Sequence, residues 1–281
     1  MLGTSAAVRP LGPTDLAEVL ELLARDPVAD VFVASRVHAS GLAAARLGGD
    51  LLGYRESGRL VSLCYSGANL VPVAATESAV RMFADLIGRR GRRCSSMVGE
   101  ADAVLPMWEL LTTGWGQARD VRARQPVLAL AAQPKVPADP LVRRVRPDEI
   151  ERLLPAAVAM FTEEVGVSPV RSDGGAYYRA RVSELVNTGR AFARFEHGQV
   201  VFKAEIGAVS PHACQVQGVW VRPERRGEGL SVGGMAAVVE HALRDIAPVV
   251  SLYVNEFNAA ARSAYRRVGF CEVGVFATVL F

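Results

Sequence analysis

The sequence predicts a mixed α/β protein of two tandem lobes, each a mixed, mostly antiparallel sheet flanked by helices. Three observations predict this. The chain has 281 residues, half of them apolar and 22% charged, which is enough for two domains of ~100–150 residues with cores of their own. Residues 131–140 hold Pro134, Pro137 and Pro140. Each proline biases its predecessor away from helix, so a linker belongs there, between lobes at 1–130 and 141–281. Short blocks of the first half also recur, in the same order, in the second. Val8-Arg9-Pro10-Leu11-Gly12-Pro13-Thr14-Asp15-Leu16 matches Val142-Arg143-Arg144-Val145-Arg146-Pro147-Asp148-Glu149-Ile150. Glu56-Ser57-Gly58-Arg59 matches Glu196-His197-Gly198-Gln199, and the block around Val98 matches the one around Val254. The spacing between copies widens along the chain, as duplication followed by insertion in the second copy would produce.

In the second half, 141–146 reads as a strand. Residues 147–164 read as a helix opened by Pro147, with Ile150, Leu153, Leu154, Ala157, Val158 and Phe161 at helical spacing. A second helix covers 176–187 and stops near Gly189. A hairpin follows, 190–195 and 199–210 around His197-Gly198, then a third strand at 214–221. The helix at 230–245 sets Met235, Val238, Val239, Ala242 and Ile246 on one face. A strand at 249–254, a helix at 259–268 and a strand at 270–281 complete the lobe, the last strand finishing its sheet. The order β-α-α-β-β-β-α-β-α-β is mixed, antiparallel at first with a later crossover.

Composition removes several classes. Net charge is +3, too small for a nucleic-acid footprint. No run of ~18 apolar residues offers a membrane span. The start, MLGTSAAVRPLGPTDL, has no basic region followed by an apolar stretch, so a cytoplasmic protein is expected. All basic residues except Lys135 and Lys203 are arginines, which with the alanine and glycine content suits a GC-rich bacterial gene. Cys64, Cys94, Cys214 and Cys271 show no C-x-x-C pairing and no histidine cluster. Reduced thiols, with neither disulfides nor a metal site, are expected.

The chemistry starts where the third strand meets the long helix. Val219-Trp220-Val221-Arg222-Pro223-Glu224-Arg225-Arg226-Gly227-Glu228-Gly229-Leu230-Ser231 reads as strand end, basic glycine loop and helix start. Gly227 and Gly229 allow backbone conformations barred to other residues. The N–H groups of Gly229, Leu230 and Ser231 open the helix. With the helix dipole and Arg226 they suit an anion such as a diphosphate; a helix start with solvated arginines is the plain alternative. Further on, Asn258 stands where an N-cap belongs and Gly269 where a C-cap belongs. Asn258 and Tyr265 lie two turns apart on nearly one helix face. A phenol there suits proton donation to a departing thiolate; capping and core packing are the plain alternatives.

Together, V-W-V-R-P-E-R-R-G-E-G-L-S and the pattern of Asn258, Tyr265, Gly269 and Phe270 resemble the GCN5-related N-acetyltransferase (GNAT) superfamily over residues 141–281. The two-lobed plan is similar to that of actinobacterial members. The family's loop signature, Q/R-x-x-G-x-G/A, is matched by Arg226-Gly227-Glu228-Gly229-Leu230-Ser231, which departs at Ser231. The resemblance implies transfer of an acetyl group from acetyl-CoA to a primary amine by direct attack, without a metal. The acceptor is a small molecule, a peptide or a protein. It also implies that Val219, Trp220 and Val221 splay from the neighbouring strand to bond the pantetheine arm. Arg226, Gly227, Glu228, Gly229, Leu230 and Ser231 would hold the diphosphate, Asn258 would contact the cofactor's arm, and Tyr265 would stand near the sulfur. The end of the first helix, with Glu163 and Glu164, would form an acceptor lip that attracts a cationic amine.

Strand alternation supplies a candidate base. Lys203 and Glu205 share one face of their strand, and Gln215 and Gln217 share one with Val219 and Val221 on the next. Polar groups on central strands need a wet cleft or each other. Glu205 is the candidate base or water-mediated relay, with an ion pair to Lys203 as the plain alternative, and Gln217 is a candidate acceptor contact. A homodimer is compatible with the sequence. Two other classes stay open, a non-catalytic acyl-CoA-binding regulatory module and a Fem-type peptidyltransferase using aminoacyl-tRNA. The second lacks here a long basic helical arm.

The first half reads as a decayed copy. Its counterpart of the phosphate loop, residues 70–78, has no glycine and no arginine and carries Glu77, and Glu109 falls where the tyrosine would be. This lobe is expected not to bind acetyl-CoA, and to brace the second or shape its acceptor cleft.

Overall fold

The computed structural model describes residues 6–170 and 174–281, so the opening of the expected 1–130 lobe lies outside the described residues. It divides into two units. One holds residues up to Leu128 with Tyr253–Phe257 and Glu272–Phe281; the other holds Ala129–Leu252 with Asn258–Cys271.

The first unit runs β1 (Ala6–Pro10), α1 (Leu16–Leu23), α2 (Val31–Ser40), α3 (Ala44–Leu47), β2 (Gly49–Glu56), β3 (Arg59–Gly67), β4 (Asn69–Val73), α4 (Glu77–Arg90), β5 (Ser96–Glu100), α5 (Ala101–Trp115) and β6 (Asp120–Leu130). The second half of the chain runs β7 (Arg143–Arg144), α6 (Ile150–Val165), α7 (Ala176–Asn187), β8 (Ala191–Glu196), β9 (Gln199–Val209), β10 (Cys214–Val221), α8 (Leu230–Asp245), β11 (Val250–Tyr253), α9 (Ala259–Val268) and β12 (Cys271–Leu280). The element order of the second half is therefore the one expected. The strand expected at 141–146 contracts to β7, because the Val142 N–H closes a turn on the Asp139 carbonyl (3.1 Å) instead of entering the ladder.

The same local devices recur in both units. In the first, Arg9 pairs with Asp15 (2.6 Å), whose carboxylate also accepts from the Gly12 N–H (2.9 Å) at a turn opened by Pro13. In the second, Arg143 pairs with Glu149 (2.7 Å), which accepts from the Arg146 N–H (3.0 Å) at a turn opened by Pro147. The hairpins match as well. Ser57 and Gly58 have φ 50 and 82, His197 and Gly198 φ 48 and 76. Two left-handed residues in a two-residue loop match the twist of the flanking strands.

The second unit orders its strands β11-β10-β9-β8-β7. The β10–β11 pair is parallel and β7 to β10 are antiparallel. Helices α6 and α7 pack Leu153, Ala157, Tyr178 and Val182 against one face with Trp220. On α8, Gly234 lets the helix ride close on Phe202: an added Cβ would lie 2.7 Å from the ring. Residues 131–140 carry no regular element, yet they are pinned to this unit. Lys135 donates its N–H to Val268 O (2.8 Å), Asp139 donates to Gly233 O (2.9 Å), and the Asp139 carboxylate takes Arg194 (2.8 Å).

One expectation is corrected. The last strand does not finish the sheet of its own half, so the lobes are not the contiguous stretches 1–130 and 141–281. The first unit's order is β1-β2-β3-β4-β5-β12-β6. Phe276–Leu280 run antiparallel to Ser96–Glu100, with Ala277 opposite Gly99 and Val279 opposite Met97. Ala277 and Val279 enter the core holding Met97, Val104 and Phe83. β5 pairs with β4 on one edge and needs a partner on the other, and β12 supplies it.

Candidate functional site

The site is built on β10 and its exit loop. β10 pairs with β11 only at Cys214–Val250 and Gln215–Ser251. From Val216 onward that edge has no strand partner among the described residues, so the backbone of Val219 and Trp220 carries no ladder on that side, while the Val221 carbonyl accepts from Arg226 Nε (3.1 Å). On the other edge, Gln217 lies opposite Glu205 and Trp220 opposite Lys203. Gly218 and Val219 therefore stand opposite Ala204 alone, which is a β-bulge. The bulge needs glycine: Gly218 has φ +60, and a Cβ there would lie 3.0 Å from Glu205 Cδ, 3.0 Å from Met160 Cε and 3.1 Å from Lys203 Nζ.

That bulge overturns the expected side-chain face. Uninterrupted alternation would put Val219 and Val221 beside Gln217. The extra residue reverses parity, and Trp220 shares the face with Gln217, Glu205 and Lys203. The signal was available as a glycine inside a strand pattern.

The polar cluster on this face is closed on itself. Lys203 Nζ donates to Glu205 Oε2 (3.1 Å) and Gln217 Nε2 donates to Glu205 Oε1 (2.9 Å). Lys203 is 1% exposed and Glu205 7%. The ion pair of the plain alternative is thus present, and both carboxylate oxygens are engaged. Gln217 lies over Gly207, where a Cβ would come within 2.1 Å of its side chain.

After β10 a short turn at Pro223–Arg225 leads to Gly227 and Gly229, with φ +86 and +81 and nothing within 4 Å of a Cβ built on either. Backbone conformation, and not crowding, calls for glycine at both. Gly229 is the N-cap of α8 and has no side chain to cap with. The Val232 N–H turns back to Gly229 O (3.0 Å), which leaves the Leu230 and Ser231 N–H groups at the helix start without an intrahelical partner. Arg225 is spoken for by Glu228 (2.8 Å) and Glu196. Arg226 donates from Nε to Val221 O (3.1 Å) and from Nη2 to Glu163 Oε2 (2.6 Å). The other oxygen of Glu163 accepts from Trp220 Nε1 (3.0 Å). Glu163, expected at an acceptor lip, is therefore tied to the loop and strand expected to hold the cofactor.

Asn258 caps α9, its Oδ1 accepting from the Ala261 N–H (3.1 Å), and is exposed. Tyr265 is buried, its ring edge-on to Phe270 at 6.1 Å. The two residues do not meet. Burial raises the pKa of the Tyr265 phenol above its ordinary value, and the nearby Glu164 carboxylate adds to this. The phenol stays protonated at neutral pH and takes no hydrogen-bond partner among the described residues. The Cys214 thiol is pushed up to about 12 by burial, which removes it as a nucleophile. Among the described residues no group of three His, Cys, Asp or Glu stands ready for a metal, and no helix is long and apolar enough to cross a membrane.

In the first unit the counterpart helix α4 is closed. Thr76 caps it, accepting from the Ala79 N–H (3.3 Å), and Glu77 occupies its first turn. Both features oppose an anion at that end. Glu109 is exposed on α5.

Residues 157–270 match the acetyltransferase (GNAT) family, and residues 49–153 match a domain of unknown function (DUF4081). A search of curated proteins found no match. Among solved structures, a GNAT-family acetyltransferase from Colwellia psychrerythraea superposes with TM-score 0.57 at 12% identity, covering 98% of this chain and 99% of that one. A GCN5-related N-acetyltransferase from Sphaerobacter thermophilus gives 0.58 at 15%, covering 98% and 94%. A tandem GNAT protein from the clavulanic acid biosynthesis pathway gives 0.54 at 16%, covering 98% of each chain. At these identities the likeness is one of fold. The chain has the mixed α/β fold of these proteins, and the match to the GNAT family model is confined to residues 157–270.

Proposed function

We propose that this chain, whose residues 157–270 form a domain of the acetyltransferase (GNAT) family, moves an acetyl group from acetyl-CoA to a primary amine. The single observation that carries the reading is the uncapped start of α8, with Gly227 and Gly229 both left-handed and open, directly after a strand that parts from its neighbour. A helix N-terminus of this kind suits a diphosphate, and the free edge of β10 suits an amide-bearing arm laid along it as a further strand. The N–H groups of Gly227, Glu228, Gly229, Leu230 and Ser231, with the Arg226 guanidinium, hold the diphosphate. The backbone of Val219, Trp220 and Val221 holds the arm, and Asn258 keeps an amide N–H2 for it while capping α9.

In the transfer, the amine nitrogen bonds to the thioester carbon as the carbon–sulfur bond breaks. The nitrogen gives up a proton and the thiolate takes one. Tyr265, protonated and buried, is the candidate donor of the thiolate's proton. Glu205 is the candidate route for the amine's proton, with Lys203 and Gln217 fixing its orientation, and Gln217 with Glu164 is offered to the acceptor. The acceptor is an amine of a small molecule, a peptide or a protein.

Isothermal titration with acetyl-CoA tests the reading. One site per chain with a micromolar Kd is expected, weakened about tenfold or more by Arg226→Ala. The absence of any binding heat at several temperatures, with the protein folded, would remove the assignment.

A further inference from the structure

We infer that Glu163 is a latch on the diphosphate loop, a positioning residue that holds Arg226 and Trp220 in the free protein and that the acyl donor must displace. The inference rests on the function proposed above. Its substance is the geometry of one carboxylate. Glu163 Oε2 accepts from Arg226 Nη2 (2.6 Å) and Oε1 from Trp220 Nε1 (3.0 Å). It thereby joins the last turn of α6 to the end of β10 and to the loop before α8. Arg226 keeps a second anchor, Nε to Val221 O (3.1 Å), so its terminal nitrogens can change partner while the side chain stays at the strand end.

The partner is a weak holder. Arg226 is 51% exposed and Glu163 46%, and water screens such a pair. A diphosphate at the start of α8 offers the guanidinium bidentate, charge-assisted bonds, and the helix start adds its N–H groups and dipole. Two anions then compete for one arginine, and the diphosphate's charge also repels the Glu163 carboxylate directly. Donor binding releases Glu163 and removes the indole's hydrogen-bond acceptor.

The release reaches further because of what else that turn carries. Met160 lies against the Gly218 bulge, and the Glu164 carboxylate acts on the Tyr265 phenol. The helix ends immediately beyond, where Gly166 is left-handed and donates its N–H to Thr162 O (2.9 Å). A single turn at the end of α6 thus meets the phosphate loop and the bulge, and acts on the buried phenol only through the Glu164 charge. The latch makes that turn sense whether the donor is bound.

Calorimetry with acetyl-CoA on the wild type, Glu163→Gln and Glu163→Ala tests this. Glutamine keeps the shape and an acceptor for Trp220 but removes the charge that competes for Arg226. The Kd should fall roughly two- to fivefold in Glu163→Gln, and the gain should shrink as salt is raised. A contact that only stabilised the fold would weaken donor binding when lost, or leave it unchanged. Tryptophan emission provides the second readout. Acetyl-CoA should change it in the wild type, change it less in Glu163→Gln, and not through this route in Trp220→Phe, where only Trp108 and Trp115 remain. Wild-type binding with an equal or weaker affinity in both Glu163 variants overturns the latch and leaves the transferase reading standing. No acetyl-CoA binding in any of these proteins overturns both.

Discussion

Replacing Glu205 by alanine should cost about 3–5 kcal/mol of stability, the range for breaking a buried ion pair from one side. Lys203 is 1% exposed and Glu205 7%, and the Nζ–Oε2 distance is 3.1 Å. Without the carboxylate the ammonium has no other acceptor among the described residues, and the Gln217 amide loses its 2.9 Å partner. Glu205→Gln retains a neutral acceptor and should cost less, about 1–3 kcal/mol. Converting both partners, Lys203→Met with Glu205→Leu, should recover most of the alanine loss, because the desolvation cost of the pair disappears with it. Urea unfolding followed by circular dichroism, comparing midpoints at constant m, measures all three. A loss below ~1 kcal/mol for Glu205→Ala, or a double variant no better than the single, refutes the picture of a dry pair. The same proteins separate structure from catalysis. A base role requires Glu205→Gln to lower kcat and alter its pH profile while the Kd for acetyl-CoA holds.

Tyr265→Phe should reduce turnover by roughly 10–100-fold with unchanged acetyl-CoA affinity; steady-state rates beside calorimetry show it, and equal turnover removes the proton-donor role. Asp30 is buried, and burial, with Asp26 and Glu100 adding to it, pushes its pKa up to about 8. The unfolded chain loses that proton near pH ~4 while the fold keeps it, so the contribution of Asp30 to stability is fully present below about pH 4 and is lost as pH rises from about 4 to about 8. Asp30→Asn should flatten this slope in urea titrations at several pH values, and an unaltered slope contradicts the assigned proton. Ending the chain before Glu272 should strip hydrogen-exchange protection from Ser96–Glu100; full protection there in the truncated protein means that β5 does not depend on β12.

Much of the second unit was legible because its signals are local. Pro147 opening a helix, Gly198 in a tight turn, glycine before α8 and asparagine before α9 each act within a few residues. The elements at 176–187, 214–221, 230–245 and 259–268 fall where periodicity and caps put them. The site was legible only as far as backbone chemistry went. The glycine loop follows from residue type and order, whereas the parting of β10 from its neighbour was expected only from the family resemblance. Which carboxylate meets which arginine does not, since Glu163 and Arg226 are far apart in sequence and nothing in either neighbourhood marks the pairing. The reversed face after Gly218 failed for a sharper reason. Period-two alternation assumes an unbroken ladder, and one inserted residue changes the side of everything after it.

The last strand failed for a different reason, one that concerns what a strand sequence can specify. Cys271–Leu280 carries a readable β pattern, but backbone N–H and C=O groups are the same on every sheet edge, so pairing energy alone does not choose the sheet. The choice is made by side chains packed beyond the ladder. Ala277 and Val279 meet Met97 and Val104, and Thr278 donates to buried Gln125 of β6 at 2.6 Å. Phe281 meets Trp108 and Trp115 edge-on at 5.5 and 5.7 Å. None of these partners lies near β12 in sequence, and all belong to the first half. Each unit's sheet offers an edge, and the core into which this strand's side chains fit decides between them. The first unit therefore cannot complete its sheet until Cys271–Leu280 are available.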